Sequence, residues 1–379
     1  MRIAIVGPGY PPAPGGVEAV VAHSARALAR AGHEVEVLAQ ERNGDLPDVE
    51  TESGVVVRRF RSNRAENLRL APGLYSHLAK HAAEYDVVHG HSYHALVGVG
   101  AALVTARRAS GVPYVLSPHF HGTGHTEARA LLHRLYTPVG RAAVAASRSI
   151  VCVSPSEADL FRSRFPKAVS KISVIPNAVD TDTLRAAAPL VGEAPTVLSV
   201  GRLETYKRVD RLIAAFGVLA RDGAAPPRLV VIGTGPDRAR LEALAADACP
   251  AGAVRFLGRV EDAELHRWLR TASVLCSLSE HEAYGLAPAE ALAAGARVVL
   301  SDIPAHRQFT ASGYATLVPA DADAPALADE LAGALAADRQ PADAPSPVPN
   351  WDEVAASLAD LYRSLAAAER VDEPAGALA

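Results

Sequence analysis

The sequence repeats one pattern, in which a short and nearly continuous apolar run is followed by a segment with helical spacing. Seven such runs, rich in Val and Ile, lie in the first half at 2–7, 34–39, 55–60, 86–91, 114–119, 149–154 and 172–177. Strands that are apolar at every position are typical of parallel sheets covered by helices on both faces. The pattern therefore predicts a doubly wound α/β fold for this half of the chain.

The same pattern restarts in the second half of the chain. Apolar runs lie at 196–201, 228–233, 254–258, 272–278, 297–302 and 315–319, and helical segments lie at 209–221, 236–248 and 262–271. The polar, proline-bearing segment 180–195 between the halves suits a linker. Because 379 residues exceed one ordinary core, we predict two doubly wound Rossmann-like domains, at 1–182 and 190–345.

Composition and charge limit the class of protein. Hydrophobic residues make up 49% of the chain and charged residues 21%, which is typical of a globular protein. The net charge of −4 gives no basis for nucleic-acid binding. No apolar run approaches the roughly 18 residues of a membrane span, and the N-terminal run is too short for a signal peptide. We therefore expect a cytoplasmic protein, and Cys152, Cys249 and Cys276 match no metal or redox spacing.

Glycines follow several predicted strands at the edge where open parallel sheets bind ligands. Gly15 and Gly16 lead into a helix, where glycine lets backbone N–H groups approach an anion. Gly233 and Gly235 repeat this arrangement in the second half. A tight turn is the alternative interpretation at both places. Neither segment is the G-x-G-x-x-G fingerprint, which argues against an NAD-dependent dehydrogenase.

Two cations follow the first strand of the second half. Arg202 and Lys207 border a short loop, and Asp210 is a candidate cap for the next helix. Cations beside a helix start suit a diphosphate, because the guanidinium offers a fork of donors and the ammonium a point charge. Ordinary solvated surface cations are the alternative.

Two carboxylates interrupt the apolar sequence "EHEAYGLAPAE" at 280–290. The pattern places Glu282 in a loop and Glu290 about one turn inside a helix over 287–294. A loop carboxylate can accept hydrogen bonds from vicinal hydroxyls, with helix capping as the alternative. Glu290 could lie on a solvated helix face, but a charge flanked by Leu286 and Ala291 is costly unless it has a partner.

Histidines concentrate in the first half. The stretch 115–125 contains His119, His121 and His125, and three further histidines lie within 89–94. A histidine at the end of a strand can form hydrogen bonds in a binding site. A metal site is the alternative, but the spacing matches no zinc pattern, so we expect none. The histidines at 89–94 are interpreted as structural or as facing an acceptor.

The segment 58–69 contains the arginines Arg58, Arg59, Arg61, Arg64 and Arg69. A solvated face is one interpretation. Contact with a phosphorylated acceptor or with an anionic membrane surface is the other, which would make the protein peripheral to the inner face of the membrane.

Taken in order, these motifs resemble family 4 of the retaining glycosyltransferases. The resemblance is carried by "GG" (15–16), "SPH" (117–119), "GRLETYK" (201–207), "GTGP" (233–236) and "EAYGLAPAE" (282–290), and it covers nearly the whole chain. It implies the glycosyltransferase-B fold: two Rossmann-like domains face each other across a cleft, and a C-terminal helix over 351–370 crosses back to the first domain. The first domain would bind the acceptor and the second the donor.

The resemblance also implies a reaction. A hexose-type sugar would move, with retained configuration, from a nucleotide diphosphate donor to a hydroxyl acceptor such as a glycan, a lipid or a natural product. UDP-sugars are favoured as donors, GDP-sugars come next, and neither a metal nor another cofactor is expected. Acceptor attack would occur on the face of the sugar that the diphosphate leaves, with the leaving phosphate taking the acceptor proton.

Residue roles follow by position in the family's motifs. The residues with implied catalytic roles are His119, Glu282, Arg202 and Lys207: the two cations would hold the diphosphate, Glu282 the sugar hydroxyls, and His119 would lie near the reacting sugar. Glu290 would hold the ribose. The remaining donor-binding residues would be Gly15, Gly16, Gly233, Gly235, Val260, Ala283, Tyr284, Gly285 and Leu286. Gln308 departs from the family, since relatives often carry glutamate there, and this leaves the donor contacts of its loop open.

Two other functions fit the same motifs. A sugar-nucleotide hydrolase or epimerase of this fold would keep the diphosphate residues, and a nucleotide-sugar sensor would bind without turnover. We expect a monomer or a homodimer and no nucleic-acid partner.

Overall fold

The computed structural model of this chain describes residues 1–13, 15–42, 44–63, 69–109, 111–120, 127–221, 227–341 and 344–372, without the side chains of 127–135 and 370–372. The chain divides into two compact units. Unit 1 comprises Met1–Asn177 with Trp351–Ala379, and unit 2 comprises Ala178–Asn350.

Unit 1 is built on one sheet with helices on its faces. Its elements up to Asn177 are β1 (Arg2–Gly7), α1 (Gly16–Arg30), β2 (Glu34–Glu41), β3 (Val49–Glu52), β4 (Val55–Arg61), α2 (Pro72–His81), β5 (Val87–His91), α3 (Leu96–Arg108), β6 (Tyr114–Ser117), α4 (Glu127–Ala146), β7 (Ser149–Cys152), α5 (Pro155–Arg164) and β8 (Ile172–Val174). The strand order is β3-β4-β2-β1-β5-β6-β7-β8. Each predicted apolar run contains a strand, and these strands pair in parallel.

Strand β3 was not predicted. It pairs antiparallel with β4 at the edge of the sheet, and its sequence, "VETE", has no apolar run. Ser53 and Gly54 connect the two strands with φ values of 51° and 79°. Two consecutive left-handed residues form the type of turn that joins adjacent antiparallel strands. The turn, rather than burial of apolar side chains, therefore determines the position of β3.

Unit 2 has a second, fully parallel sheet. Its elements are α6 (Thr181–Ala186), β9 (Thr196–Val200), α7 (Val209–Leu219), β10 (Arg228–Ile232), α8 (Arg238–Ala248), β11 (Val254–Gly258), α9 (Asp262–Thr271), β12 (Val274–Ser277), α10 (Leu286–Ala293), β13 (Arg297–Ser301), α11 (Pro304–Arg307), β14 (Ala315–Val318) and α12 (Ala324–Ala336). The strand order is β11-β10-β9-β12-β13-β14. This is the doubly wound arrangement, in which the winding reverses between β9 and β12.

The segment 180–195 is not simply a linker, as the sequence suggested. Helix α6 forms within it because the Asp180 carboxylate accepts a hydrogen bond from the backbone N–H of Thr183 at 3.1 Å and so caps the first turn. The predicted cap of α7 was also wrong. The residue before α7 is Arg208, in a left-handed conformation, and Asp210 lies in the first helical turn.

The last helix, α13 (Trp351–Asp372), packs on unit 1. The Trp351 ring stacks on His23 with centroids 5.2 Å apart. The Tyr362 hydroxyl lies 2.5 Å from Nδ1 of His89 inside the unit. No described helix combines the length and the apolar character needed to cross a membrane.

The two ends of unit 2 lie beside each other. Val179 and Asn350 form an isolated parallel bridge, and the backbone N–H of Val179 donates to the carbonyl of Pro349 at 3.1 Å. The chain therefore enters and leaves unit 2 at one place.

Candidate active site

In unit 2, the candidate site lies where the winding of the sheet reverses. The loop after β9 carries Arg202 and Lys207, and the loop after β12 carries Glu282. Because β9 and β12 are neighbours in a parallel sheet, their carboxyl ends meet at the same edge. The structure thus brings together side chains that lie 75 positions apart in the sequence.

The Lys207 ammonium and the Glu282 carboxylate form an ion pair in this loop cluster. Nζ of Lys207 lies 2.5 Å from Oε1 of Glu282, and only about a fifth of each side chain is exposed. Burial alone would raise the pKa of Glu282, but the neighbouring ammonium outweighs this effect and lowers that pKa below its ordinary value. The carboxylate is therefore ionised at neutral pH and can accept hydrogen bonds from hydroxyls.

Arg202 lies at the same edge but points toward solvent. Its Nη1 donates to Glu204 at 2.6 Å and its Nη2 donates to the Tyr206 hydroxyl at 3.1 Å, while 67% of the side chain stays exposed. The Lys207 ammonium lies 5.2 Å from the centre of the Tyr206 ring. The two predicted cations thus flank Tyr206, and Arg202 can reorient toward an anion at the cost of weak, exposed contacts.

Backbone N–H groups are available at the start of α10. In the part of the chain that the structure describes, nothing accepts a hydrogen bond from the N–H groups of Tyr284, Gly285 or Leu286. Tyr284 and Gly285 are nevertheless buried. Gly285 has a φ of 99°, a left-handed conformation that glycine adopts at little cost. N–H donors without a described protein acceptor at a helix N-terminus form a candidate anion site.

Gln308 fixes the conformation of this loop. Its side-chain amide donates to the carbonyl of Tyr284 at 3.0 Å and to the carbonyl of Ala305 at 2.8 Å. A glutamate side chain has no N–H to donate and could not make these two bonds when ionised. The glutamine at position 308, where relatives often carry glutamate, is thus explained by the two hydrogen bonds with which it supports the loop.

Glu290 lies one turn inside α10, as predicted. No described residue donates a hydrogen bond to its half-buried carboxylate. Burial first, and the negative charge of Asp262 second, raise the pKa of Glu290 to about 7. The group is therefore an acceptor that lacks donors, which is the state expected of a carboxylate that binds ligand hydroxyls.

The glycines at the end of β10 have a packing role. A side chain on Gly233 would overlap the carbonyl of Gly201, and one on Gly235 would overlap the carbonyl of Leu203. The N–H of Gly233 donates to the carbonyl of Gly258 at 2.8 Å. Close approach of two loops therefore explains both glycines without a ligand. Donor contacts of Gly235, of Ala283 and of the half-buried Val260 remain predictions.

In unit 1, Gly15 and Gly16 start α1 after β1, as the sequence suggested. A side chain on Gly15 would overlap the carboxylate of Glu18, which lies in the first turn of α1. An acidic group therefore already occupies the space beside this helix start. A diphosphate contact of the two glycines remains a prediction, with Glu18 as a competing anion.

His119 lies two residues beyond β6 and is nearly buried, with 8% of its surface exposed. Its φ of 47° is left-handed, which is uncommon for a residue other than glycine. Nε2 of His119 lies 2.9 Å from Nδ1 of His91, at the end of the neighbouring strand β5. The predicted site histidine is thus held by a second histidine.

Sequence reasoning missed Glu157, a fully buried acid that supports the His119 loop. Its carboxylate accepts hydrogen bonds from the backbone N–H groups of Phe120 and, at 2.6 Å, of Val153. Burial raises the pKa of Glu157 to about 8, although both N–H groups favour the charged form. The capping-box spacing of Ser154 and Glu157 was the available signal.

The other histidines of this region differ in position. His89 and His91 are buried, and the His94 ring stacks on Phe120 with centroids 5.2 Å apart. His121 and His125, whose role the sequence left open, lie outside the described residues. Among those that are described, no group of three His, Cys, Asp or Glu side chains is placed to hold a metal ion.

The arginine-rich segment is partly internal. Arg58 pairs with Glu36 at 2.7 Å, and the buried Arg59 pairs with Glu50 at 2.5 Å and donates to the Pro11 carbonyl at 3.2 Å. A solvated face is therefore wrong for Arg59. Residues 64–68 are outside the described part, so contact of this segment with a membrane remains a prediction.

The sequence matches two family descriptions in tandem. Residues 14–183 match Glycosyltransferase Family 4, and residues 180–344 match Glycosyl transferases group 1. A phosphatidyl-myo-inositol mannosyltransferase of Mycolicibacterium smegmatis is 32% identical, over 97% of this chain and 95% of its own length. The chain belongs to the family 4 glycosyltransferases.

Further relatives of this family 4 glycosyltransferase agree with that assignment. A D-inositol 3-phosphate glycosyltransferase of Xylanimonas cellulosilytica is 30% identical, over 92% of this chain and 91% of its own. A solved sucrose-phosphate synthase from Thermosynechococcus elongatus aligns with a TM-score of 0.77 at 24% identity, over 97% of this chain and 100% of its own. The predicted fold class, the glycosyltransferase-B fold, and the predicted transfer of a sugar are therefore confirmed.

Proposed function

We propose that this family 4 glycosyltransferase moves a hexose, with retained configuration and without a metal, from a nucleoside diphosphate donor to a hydroxyl acceptor. UDP is the favoured base and GDP the next. The observation that carries the proposal is the Lys207 ammonium paired with the ionised Glu282 carboxylate, followed along the chain by three N–H groups from which no described residue accepts a hydrogen bond. Such a set can hold a diphosphate and the hydroxyls of the attached sugar.

The leaving group determines the chemistry that the protein must supply. A departing nucleoside diphosphate gains negative charge in the transition state. Lys207 and the N–H groups at the start of α10 are donors already in place to stabilise this charge, and Arg202 can add to them after it reorients from its exposed contacts. Donors of this kind supply the stabilisation that a metal ion provides in other transferases, so we propose a metal-independent reaction.

The two carboxylates would recognise different hydroxyls of the donor. Glu282 is ionised and paired, so it can orient a sugar hydroxyl beside the diphosphate. Glu290 lacks donors, and the two vicinal hydroxyls of a ribose would supply them. This division of roles makes a nucleoside diphosphate a better ligand than a sugar phosphate without its nucleoside.

The acceptor is proposed from the relatives alone. Two of them are named for transfer to phosphatidyl-myo-inositol and to D-inositol 3-phosphate. A cyclic polyol that carries a phosphate is therefore the first acceptor class to test. Unit 1 would bind it, and the oligomeric state of the active protein is proposed to be a monomer or a homodimer.

The test measures release of nucleoside diphosphate from a panel of UDP- and GDP-sugars, each with and without inositol phosphates, in buffer that contains a chelator. Nuclear magnetic resonance of the product then gives the anomeric configuration. We expect rapid release only with an acceptor, and the configuration of the donor in the product. Equal donor consumption without acceptor would indicate a hydrolase or epimerase, and an inverted product would contradict retention.

A further inference from the structure

The contact between His91 and His119 determines where their protons lie. Nδ1 of His91 and Nε2 of His119 are 2.9 Å apart, and the rings stack with centroids separated by 5.2 Å and planes tilted by 20°. A hydrogen bond between two imidazole nitrogens requires one of them to carry a proton and the other to offer its lone pair. Two assignments are therefore open, one in each direction.

The second nitrogen of His91 distinguishes these assignments. Nε2 of His91 is buried and has no hydrogen-bond partner among the described residues. If Nε2 carried the proton, a buried N–H would lack an acceptor, and such orphaned N–H groups are rare in native proteins. A bare lone pair at that atom is the less costly state, and it places the proton of a neutral His91 on Nδ1.

The surroundings keep His91 neutral. The residue is 3% exposed, and burial, with His89 and His119 as neighbours, lowers its pKa well below the ordinary value. His89 does not compete for its nitrogens, since Nδ1 of His89 faces the Tyr362 hydroxyl at 2.5 Å and Nε2 faces the Ser117 hydroxyl at 2.9 Å. His91 thus keeps one proton and directs it at His119.

The backbone holds His119 in place to receive that proton. Its left-handed conformation is fixed on one side by β6 and on the other by the hydrogen bond from the Phe120 N–H to the buried Glu157 carboxylate. The backbone therefore holds His119 beside His91, and its ring lies with Nε2 toward Nδ1 of His91 at 2.9 Å.

We propose that His91 is a positioning residue that donates from Nδ1 to Nε2 of His119 and so fixes His119 as the Nδ1–H tautomer. In this tautomer His119 carries its proton on Nδ1, and the bond from His91 occupies the lone pair of Nε2, so no lone pair is left for use as a general base. Its role toward substrate, as a donor to a hydroxyl oxygen of the sugar or acceptor, rests on the proposed function.

The experiment records imidazole ¹⁵N shifts and turnover for three forms of the full chain. These are the unmodified protein, His91→Leu, which has no donor, and His91→Asn, whose side-chain amide can replace the Nδ1–H group. The His119→Gln variant identifies the His119 signals. We expect a pyrrole-type shift for Nδ1 and a pyridine-type shift for Nε2 of His119 in the unmodified protein and in His91→Asn. In His91→Leu we expect a mixture of tautomers and a kcat lower by about tenfold or more.

The outcomes separate this proposal from the proposed function. A His119 with its proton on Nε2 in the unmodified protein, or a His91→Leu variant with normal kcat, would overturn the role of His91. If His91→Leu does not fold, the ¹⁵N shifts of His119 in the unmodified protein and in His91→Asn still test the proposal. A protein that shows the Nδ1–H tautomer but transfers no sugar would contradict the proposed function alone.

Discussion

Lys207 is the side chain whose removal should affect turnover most. In Lys207→Ala the leaving diphosphate loses an ammonium and Glu282 loses its partner, so we expect kcat to fall by about 100-fold or more. Arg202→Ala should lower kcat as well but leave the thermal unfolding temperature unchanged, since Arg202 is largely exposed. Steady-state kinetics with the best donor, together with thermal unfolding, measure both effects.

Arg240→Ala provides the matched control. This cation also lies in unit 2, pairs with Asp237 at 2.9 Å and is half-exposed on α8. Its loss should leave kcat unchanged. Near-normal turnover in both Lys207→Ala and Arg202→Ala would show that the diphosphate binds elsewhere.

Glu290 should make ligand binding depend on pH. Because its pKa is about 7, the carboxylate gains charge between pH 6 and pH 8 and accepts ribose hydroxyls better when ionised. We expect the affinity for nucleoside diphosphate to rise by about tenfold more over this range in the unmodified protein than in Glu290→Gln. Calorimetry of both proteins isolates this effect from the ionisation of the phosphate itself. An identical pH dependence in the two proteins would assign Glu290 a structural role.

The same raised pKa predicts a change in stability. A folded pKa of about 7, above the ordinary 4.5, means that the folded protein binds this proton more tightly than the unfolded chain. The free energy of unfolding therefore falls as pH rises from the unfolded pKa of 4.5 to the folded pKa of about 7, and it levels off above pH 7. Glu290→Gln removes the effect, so its gain in free energy of unfolding should be about 1–2 kcal/mol at pH 8 and smaller at pH 5, measured in urea. Glu242→Gln, an exposed change on α8, should show no such difference.

At the scale of elements, helix α10 is capped at its C-terminal end by arginines from three other segments. Arg185 donates to the carbonyl of Ala293 at 3.2 Å, and Arg270 and Arg339 donate to that of Ala294 at 3.0 and 3.3 Å. Burial, then the neighbouring Arg270, lowers the pKa of Arg339. Cations at this end oppose the negative pole of the helix. They stabilise a short helix whose other end carries the candidate anion site.

Loss of one of these caps should therefore affect a distant loop. For Arg339→Ala we expect a loss of about 1–2 kcal/mol in the free energy of unfolding, from hydrogen bonds and helix-pole attraction together. We also expect faster hydrogen exchange at the start of α10, read at the Ala289 N–H, which donates to the carbonyl of Gly285 at 3.1 Å. Mass-resolved exchange measures the loop, and Arg240→Ala again serves as the control. If the free energy of unfolding fell but hydrogen exchange stayed unchanged, loss of the cap at the C-terminal end of α10 would not affect the loop at its N-terminal end.

The helices and strands that the sequence predicted correctly are those whose burial requires a recognisable pattern of apolar residues. Continuous apolar runs located the parallel strands, and the rule that ligands bind at strand ends placed Lys207 and Glu282 at one edge. The polar strand β3 and the helix α6 left no apolar pattern, because a turn and a cap fix them. The bonds of Gln308 and the proton of His91 depend on atoms brought together by the fold, so no spacing in the sequence could indicate them.

At the scale of the whole molecule, most of the groups proposed to bind the donor belong to unit 2. Lys207, the N–H groups at the start of α10 and Glu290 lie within Ala178–Asn350. We expect a fragment of residues 178–350 to fold and to bind nucleoside diphosphate on its own. Circular dichroism and calorimetry of the fragment measure this.

The companion fragment should behave differently. Residues 1–177 lack α13, so Tyr362 no longer faces His89 and Trp351 no longer covers His23. We expect this fragment to remain unfolded or to aggregate unless 351–372 are supplied. A stably folded 1–177 fragment would show that unit 1 does not need α13 in order to fold.

The bridge between Val179 and Asn350 has an evolutionary consequence. Because the chain enters and leaves unit 2 at residues that lie side by side, unit 2 has the geometry of an insertion into unit 1. Recombination near Val179 and Asn350 can exchange unit 2 for a related domain without changing the length of unit 1. If unit 2 binds the donor as proposed, such an exchange would change the sugar donor and leave unit 1, with its final helix, intact.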